Sequence, residues 1–405
     1  MGAGSERIEA RAKNRRININ PQVANRRGGL FCPPATQSPE SLRGGNQQPA
    51  NQSPAALAAK LAGLCAGSAL NGRKLRFMEV CGTHTMSVQR HGLKELLPAN
   101  MELISGPGCP VCVTPAALLA QALAIARTPG VIMTSFGDML RVPIAGDSLL
   151  KASEEGFDVR LVTSPLESLQ IAERAPDKQV VFFAVGFETT APLSAATVRL
   201  AAERRLTNFS LFSAHRLMPP ALRSLLYADL CIDGLLLPGH VAAVSGADYF
   251  AFVPRELGLA AVVAGFEPAD IMQALLSLTQ QAAVRECRLQ NAYPRAVRQG
   301  PNPTAWAVMN EVFTPTIAEW RGLGRIADSG LVLAPTYAAY DTLNRFFVAA
   351  PAAVENSACH CGDVLRGKLS PVNCPLFATT CNPNNPQGPC MVSTEGACAA
   401  AHSYG

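Results

Sequence analysis

Six of the thirteen cysteines of this 405-residue chain fall in its last 47 residues, at Cys359, Cys361, Cys374, Cys381, Cys390 and Cys398. Pro371, Pro375, Pro383, Pro386 and Pro389 are interleaved with them. Proline fixes φ and removes a backbone donor, so this stretch makes neither one long helix nor a central strand. Something other than a core must hold it. Soft thiolates gathered on proline-bent loops suit an iron–sulfur cluster or a zinc ion, whose bonds replace hydrophobic burial. An odd cysteine total in a chain of this length also argues against a secreted disulfide framework, and for metal ligands or redox thiols in a reducing compartment.

Ahead of the tail, apolar runs end repeatedly in loops that carry polar or reactive residues. Residues 75–80 lead into Cys81-Gly82-Thr83-His84, and 101–104 into Gly106-Pro107-Gly108-Cys109-Pro110-Val111-Cys112. Residues 131–135 lead into Phe136-Gly137-Asp138, 159–162 into Ser164-Pro165, and 180–185 into Gly186-Phe187-Glu188-Thr189-Thr190. Residues 209–212 lead into His215, 235–237 into Pro238-Gly239-His240, and 261–264 into Gly265-Phe266-Glu267. Continuous apolar runs between helical stretches predict strands buried on both faces, hence an α/β fold with mostly parallel sheets and its reactive loops at the strand ends. A weak internal echo at a shift of 131 residues, which brings His84 onto His215 and Pro107-Gly108 onto Pro238-Gly239, predicts two related lobes. The expected division is a disordered extension over 1–54, a first lobe over 55–175, a second over 176–290, and a cysteine-rich region over 291–405. Within the last, 320–324 reads as a packing or partner-binding loop and 341–348 as an amphipathic helix.

The net charge of +5 comes from the first 50 residues, which hold eight Arg/Lys against three Glu and leave 27 of each sign elsewhere. The body has no basic stripe for nucleic acid. No apolar run reaches the roughly 18 residues of a membrane span, and no signal-peptide core opens the chain. The cytoplasm is the expected compartment.

Cys81-Gly82-Thr83-His84, the Gly106–Cys112 motif, Gly186-Phe187-Glu188-Thr189-Thr190 and the tail from Cys361-Gly362-Asp363-Val364-Leu365-Arg366-Gly367-Lys368 resemble, in that order, the HypD family of nickel–iron hydrogenase maturation proteins. The resemblance implies a scaffold for the Fe(CN)2CO unit of the hydrogenase site. It further implies a HypC-type small chaperone and a HypE-type cyanide donor as partners, and a 4Fe-4S cluster in the C-terminal region.

On this reading Cys81 is the thiolate that anchors the iron, since a low-spin iron bearing cyanide and carbon monoxide is soft. Read without the resemblance, Cys81 is a buried structural cysteine and His84 a satisfied loop histidine. His84 is a candidate hydrogen-bond donor or proton carrier. Cys109 and Cys112 have the spacing of a redox dithiol or half a zinc site. Glu188 is a candidate proton acceptor or a first-turn carboxylate of the helix after it. Cys361, Cys374, Cys381 and Cys390 are the expected cluster ligands, with Cys359 and Cys398 in reserve. Cys65, Cys231 and Cys287 read as core residues, and His215, His240, Asp138 and Glu267 as loop residues near the cleft. A cluster-dependent thiol–disulfide oxidoreductase and a zinc-stabilised interaction protein are the competing functions.

Overall fold

The strands form where the apolar runs predict them. In chain order they are β1 (Leu75–Glu79), β2 (Met101–Ser105), β3 (Val131–Ser135), β4 (Val159–Leu161), β5 (Gln179–Gly186), β6 (Phe209–His215), β7 (Gly234–Pro238), β8 (Ala260–Ala264) and β9 (Leu289–Asn291). The structure, a computed structural model, describes residues 52–226, 231–348 and 356–405. The extension expected over 1–54 thus lies outside the described residues except for its last three.

Two parallel sheets result, ordered β2-β1-β7-β8-β9 and β4-β3-β5-β6. Both are covered on each face, so every residue of β3, β7 and β8 is buried. Helices Pro54–Ala66 and Pro268–Val284 close one face of the first sheet with Leu57, Leu61, Phe77, Leu236, Val262 and Leu275. Its other face joins Met78, Val80, Leu235 and Leu237 to Trp320, Cys112, Cys361 and Cys390. The tail is therefore held partly by a core after all.

The strand order cuts across the boundary expected at 175/176. The chain leaves the first sheet after β2, builds the whole second sheet, and returns at β7. Each sheet begins second-first-third-fourth in its own order of appearance, the first adding β9 as a fifth strand at its edge, so the two lobes share a four-stranded topology. The echo at 131 residues is not its trace, because His84 follows the central β1 whereas His215 ends the edge strand β6. Each lobe has a switch point where successive connections run opposite ways, between β1 and β7 in one and between β3 and β5 in the other. That is where open α/β sheets place ligands.

The region after 291 splits between the lobes. Helix Pro303–Val312 and the antiparallel hairpin β10 (Phe313–Trp320) and β11 (Gly324–Leu333) pack on the second lobe through Val308, Val312, Phe313 and Leu331. Trp320 is buried, its ring flat against Phe187 at 5.8 Å and its Nε1–H donated to Ser329 Oγ at 2.9 Å, so the loop at 320–324 packs. The helix expected over 341–348 is a single turn, Thr342–Arg345. Asp341 caps it, and beyond it Phe346 is in extended backbone, so that Phe346 and Val348 pack on the second lobe's core while Phe347 between them is 96% exposed.

Candidate metal-anchoring site

A cavity of about 430 Å³ opens at the switch point of the first lobe. Val80 and Cys81 after β1, Gly108 and Pro110 after β2, and Pro238 and His240 at β7 line it on one side. Phe187, Thr189 and Thr190 after β5 and Glu395 of the tail line the other. Both lobes and the tail thus meet at one thiol.

Cys81 caps the N-terminus of helix Gly82–Arg90, and its own N–H donates to Glu79 Oε2 at 3.2 Å. Burial pushes the thiol up to about 12 and Glu395 and Glu79 add to this, while the amides of His84 and Thr83 at the helix start act against it. Burial therefore holds Cys81 as a protonated thiol, and the amides and helix start would favour the thiolate beside a cation that compensates the burial. The loop is tight enough that a Cβ on Gly108 would stand 2.2 Å from the backbone nitrogen of Cys81.

Glu79 sits buried beneath this loop, accepting from Cys81 N–H and from the Thr85 hydroxyl. Burial raises its carboxyl to about 7. Glu395 accepts from Thr83 Oγ1 at 2.7 Å and is close enough to raise Cys81, Cys109 and Cys112 alike. Neither carboxylate was singled out by sequence reasoning. Glu79 left a signal, a charge in an otherwise apolar run two residues before Cys81; Glu395, between Cys390 and Cys398, left none.

His84 does not line the cavity. Its Nε2 lies 2.9 Å from the carbonyl of Gly265, its ring packs on Phe266 at 4.7 Å, and burial lowers it to about 4. The ring is neutral with Nε2–H donated to that carbonyl, which leaves Nδ1 as a buried acceptor with no partner among the described residues. His240, stacked on the same Phe266 at 3.8 Å, is the histidine that reaches the cavity. Glu188 also points away from it: Oε1 accepts from Met218 N–H at 2.8 Å and Tyr249 O–H at 2.7 Å. It anchors the β5 loop to the chain after β6 and does not cap its own helix; burial raises it to about 7. His215 is buried against Phe313, and Glu267 is an exposed cap of helix Pro268–Val284. Asp138 pairs with Arg141 at 2.8 Å.

Cys109 caps the single turn Pro110–Val113, its sulfur accepting the N–H of Cys112 at 3.3 Å. Burial pushes the Cys112 thiol up, but hydrogen bonds with Cys109 and Cys390 and the nearby Arg321 outweigh it and bring it down to about 6. Arg321 is tied to this turn, donating from its backbone to Val113 O and from Nε to Thr114 O. Beyond Cys112 the thiols continue: Cys390 hydrogen-bonds Cys112, Cys361 and Cys398, and its sulfur stands 2.7 Å from that of Cys361. Cys359 interacts with Cys361, Cys381 and Cys398, and Cys381 with Cys398, Cys374 and Cys361.

All six tail cysteines thus form one knot. The Cys361–Cys390 spacing is below the sum of two sulfur radii, too close for two thiolates on separate irons of one cubane. Of the expected set, Cys361 and Cys390 are in contact with each other, and Cys381 interacts with Cys361 and Cys374. Among the described residues no three His, Cys, Asp or Glu side chains converge as a single-ion site requires. Of the other cysteines, Cys65 is buried as expected, whereas Cys231 is exposed and Cys287 half-buried. No helix among the described residues is long and apolar enough to cross a membrane.

Comparison with known proteins agrees with these motifs. Residues 56–405 match the HypD family model, described as the Hydrogenase formation hypA family. The hydrogenase maturation factor HypD of Azotobacter vinelandii is 46% identical over 358 residues, covering 86% of this chain and 94% of that protein. HypD of Escherichia coli K12 is 45% identical over 334 residues, covering 82% and 90%. With a match over that span, the chain belongs to the HypD family of hydrogenase maturation factors.

Proposed function

We propose that the chain is the scaffold on which an Fe(CN)2CO unit is assembled, with Cys81 as the anchoring thiolate and the tail as the seat of a 4Fe-4S cluster. The observation that carries the reading is the position of Cys81: a buried thiol at a helix N-terminus, opening on a cavity built by both lobes and the tail. A soft, low-spin iron is the cation such a thiolate suits. Its arrival displaces the thiol proton, and Glu79 and Glu395 are the carboxylates near enough to take it.

The donor chemistry of the tail fits a cluster. With Cys361 and Cys390 paired to each other, Cys359, Cys374, Cys381 and Cys398 are the four thiols that would hold it, in place of the set expected from the sequence. When bound it would supply single electrons. Cys112, lowered to about 6, is the thiolate of its pair at neutral pH, and it hydrogen-bonds with its neighbour Cys390. The burial of both Cys109 and Cys112 speaks against a general oxidoreductase, whose attacking thiol must reach another protein. A HypC-type chaperone and a HypE-type cyanide donor complete the proposed assembly, in the cytoplasm.

The test is anaerobic co-purification with a HypC-type chaperone, followed by infrared spectroscopy of the cyanide and carbonyl stretches. Bands present in the wild type and absent in Cys81→Ala, with cluster absorbance retained in both, are expected. Wild-type protein with an intact cluster and bound chaperone but no bands would overturn the reading.

A further inference from the structure

The first sheet has a free edge at β2, which pairs only with β1. Leu75 N–H donates to Asn100 O and Gly106 N–H to Glu79 O, so the even-numbered residues of β2 face β1 and the odd-numbered ones face away. The backbone N–H and C=O groups of Leu103 and Ser105 consequently have no partner among the described residues. They border a groove of about 380 Å³ that runs along the whole of β2. Lys94 and Leu97 wall it on one side, where Leu97 packs on the cluster that holds Met101 and Leu103. Val364, Lys368 and Pro371 of the tail wall it on the other, where Val364 shares a cluster with Ile104. Gly367 fixes the tail wall: its φ of +67° brings the chain so close to β2 that a Cβ there would stand 2.7 Å from Ile104 Cγ2.

The one acid lining the groove, Glu102, is taken up by Arg76 and Lys74 at 3.1 Å each. That leaves Lys94 and Lys368, one on each wall, without an ion pair among the described residues. Charge then selects among the chains that could lie along the edge. A second copy would bring its own Lys94 and Lys368 against these, and lysines at a free edge oppose such self-pairing. The first 50 residues of the chain, with eight Arg/Lys against three Glu, carry the wrong sign. We propose that the β2 edge is a docking groove for an extended, carboxylate-bearing segment of a partner protein, which adds to the first sheet as a strand beside β2 and sets its carboxylates against Lys94 and Lys368. The groove shares no lining residue with the Cys81 cavity, so the proposal stands apart from the anchoring role of Cys81.

The full-length chain, kept anaerobic, is titrated with a fluorescein-labelled peptide of alternating glutamate and valine, and amide hydrogen exchange is followed along β2. Expected are binding of this peptide but not of its lysine–valine counterpart, and exchange at Leu103 and Ser105 that slows on binding to the level of Glu102 and Ile104, already held in the ladder with β1. Lys94→Glu combined with Lys368→Glu, both exposed side chains, should weaken the acidic peptide about ten-fold and admit the basic one. No binding of the acidic peptide, equal binding of both peptides, or binding without protection at Leu103 and Ser105 would overturn the proposal. So would slow exchange at these two amides before any peptide is added, since the chain itself or a second copy would then fill the groove.

Discussion

At the scale of single residues, the site is built from groups that burial has pushed off their ordinary charge state. Cys81 is held as a thiol, Glu79 and Glu188 are each raised to about 7, and His84 and His215 are each lowered to about 4. These shifts set how stability depends on pH. For Glu188 the folded state binds the more protons between 4.5 and about 7, so its contribution to stability falls as pH rises through that window and is level above it. The two histidines act oppositely: between about 4 and 6.5 the unfolded chain binds the more protons, and stability is lost as pH falls. Glu188→Gln isolates one member of this balance, because Gln Oε1 can still accept from Met218 and Tyr249. Denaturant midpoints measured anaerobically at pH 5 and pH 8 should show the variant gaining on the wild type by about 3 kcal/mol toward the higher pH. Parallel profiles would show that Glu188 does not titrate in that window.

At the scale of elements, the decisive contact joins the β10–β11 hairpin to the tail. Gly322 at the hairpin tip has φ +77° and its Cα faces Gly362, where an added Cβ would stand 2.6 Å from the neighbouring Cα. Two glycines face each other because neither backbone leaves room for a side chain. Gly322→Ala should destabilise this junction by about 1 to 3 kcal/mol, read as faster hydrogen exchange in helix Cys361–Leu365 with protection in β5 and β6 unchanged. Unaltered exchange there would mean that the tail is held without the hairpin. The strands around this junction were legible in the sequence, since runs such as 180–185 and 235–237 have no polar face to turn to solvent. The helix at 342–345 is shorter than the pattern predicts, because Phe346 and Val348 reach the core from extended backbone with Phe347 turned out between them, an alternation that apolar residues spaced this closely do not distinguish from a helix.

At the scale of the molecule, one lobe is inserted into the other, and the cavity forms where the loops of both converge on the tail. The sequence announced the reactive loops and the cysteine tail, because motif spacing is local. It did not announce the insertion, the Cys361–Cys390 contact or Glu395, because strand order and the meeting of Cys361 with Cys390 are made by contacts between distant parts of the chain. The arrangement joins the Cys81 cavity to the tail through a continuous line of thiols, Cys109, Cys112, Cys390 and Cys361, and the proposed function places an iron at each end of it. Mössbauer spectroscopy of iron-57-enriched protein, co-purified anaerobically with its chaperone as wild type and as Cys81→Ala, tests this most directly. Two iron environments are expected in the wild type, a cluster and a low-spin single iron, with only the low-spin signal lost in the variant. A low-spin signal that survives Cys81→Ala would contradict the assignment of Cys81 as the anchor.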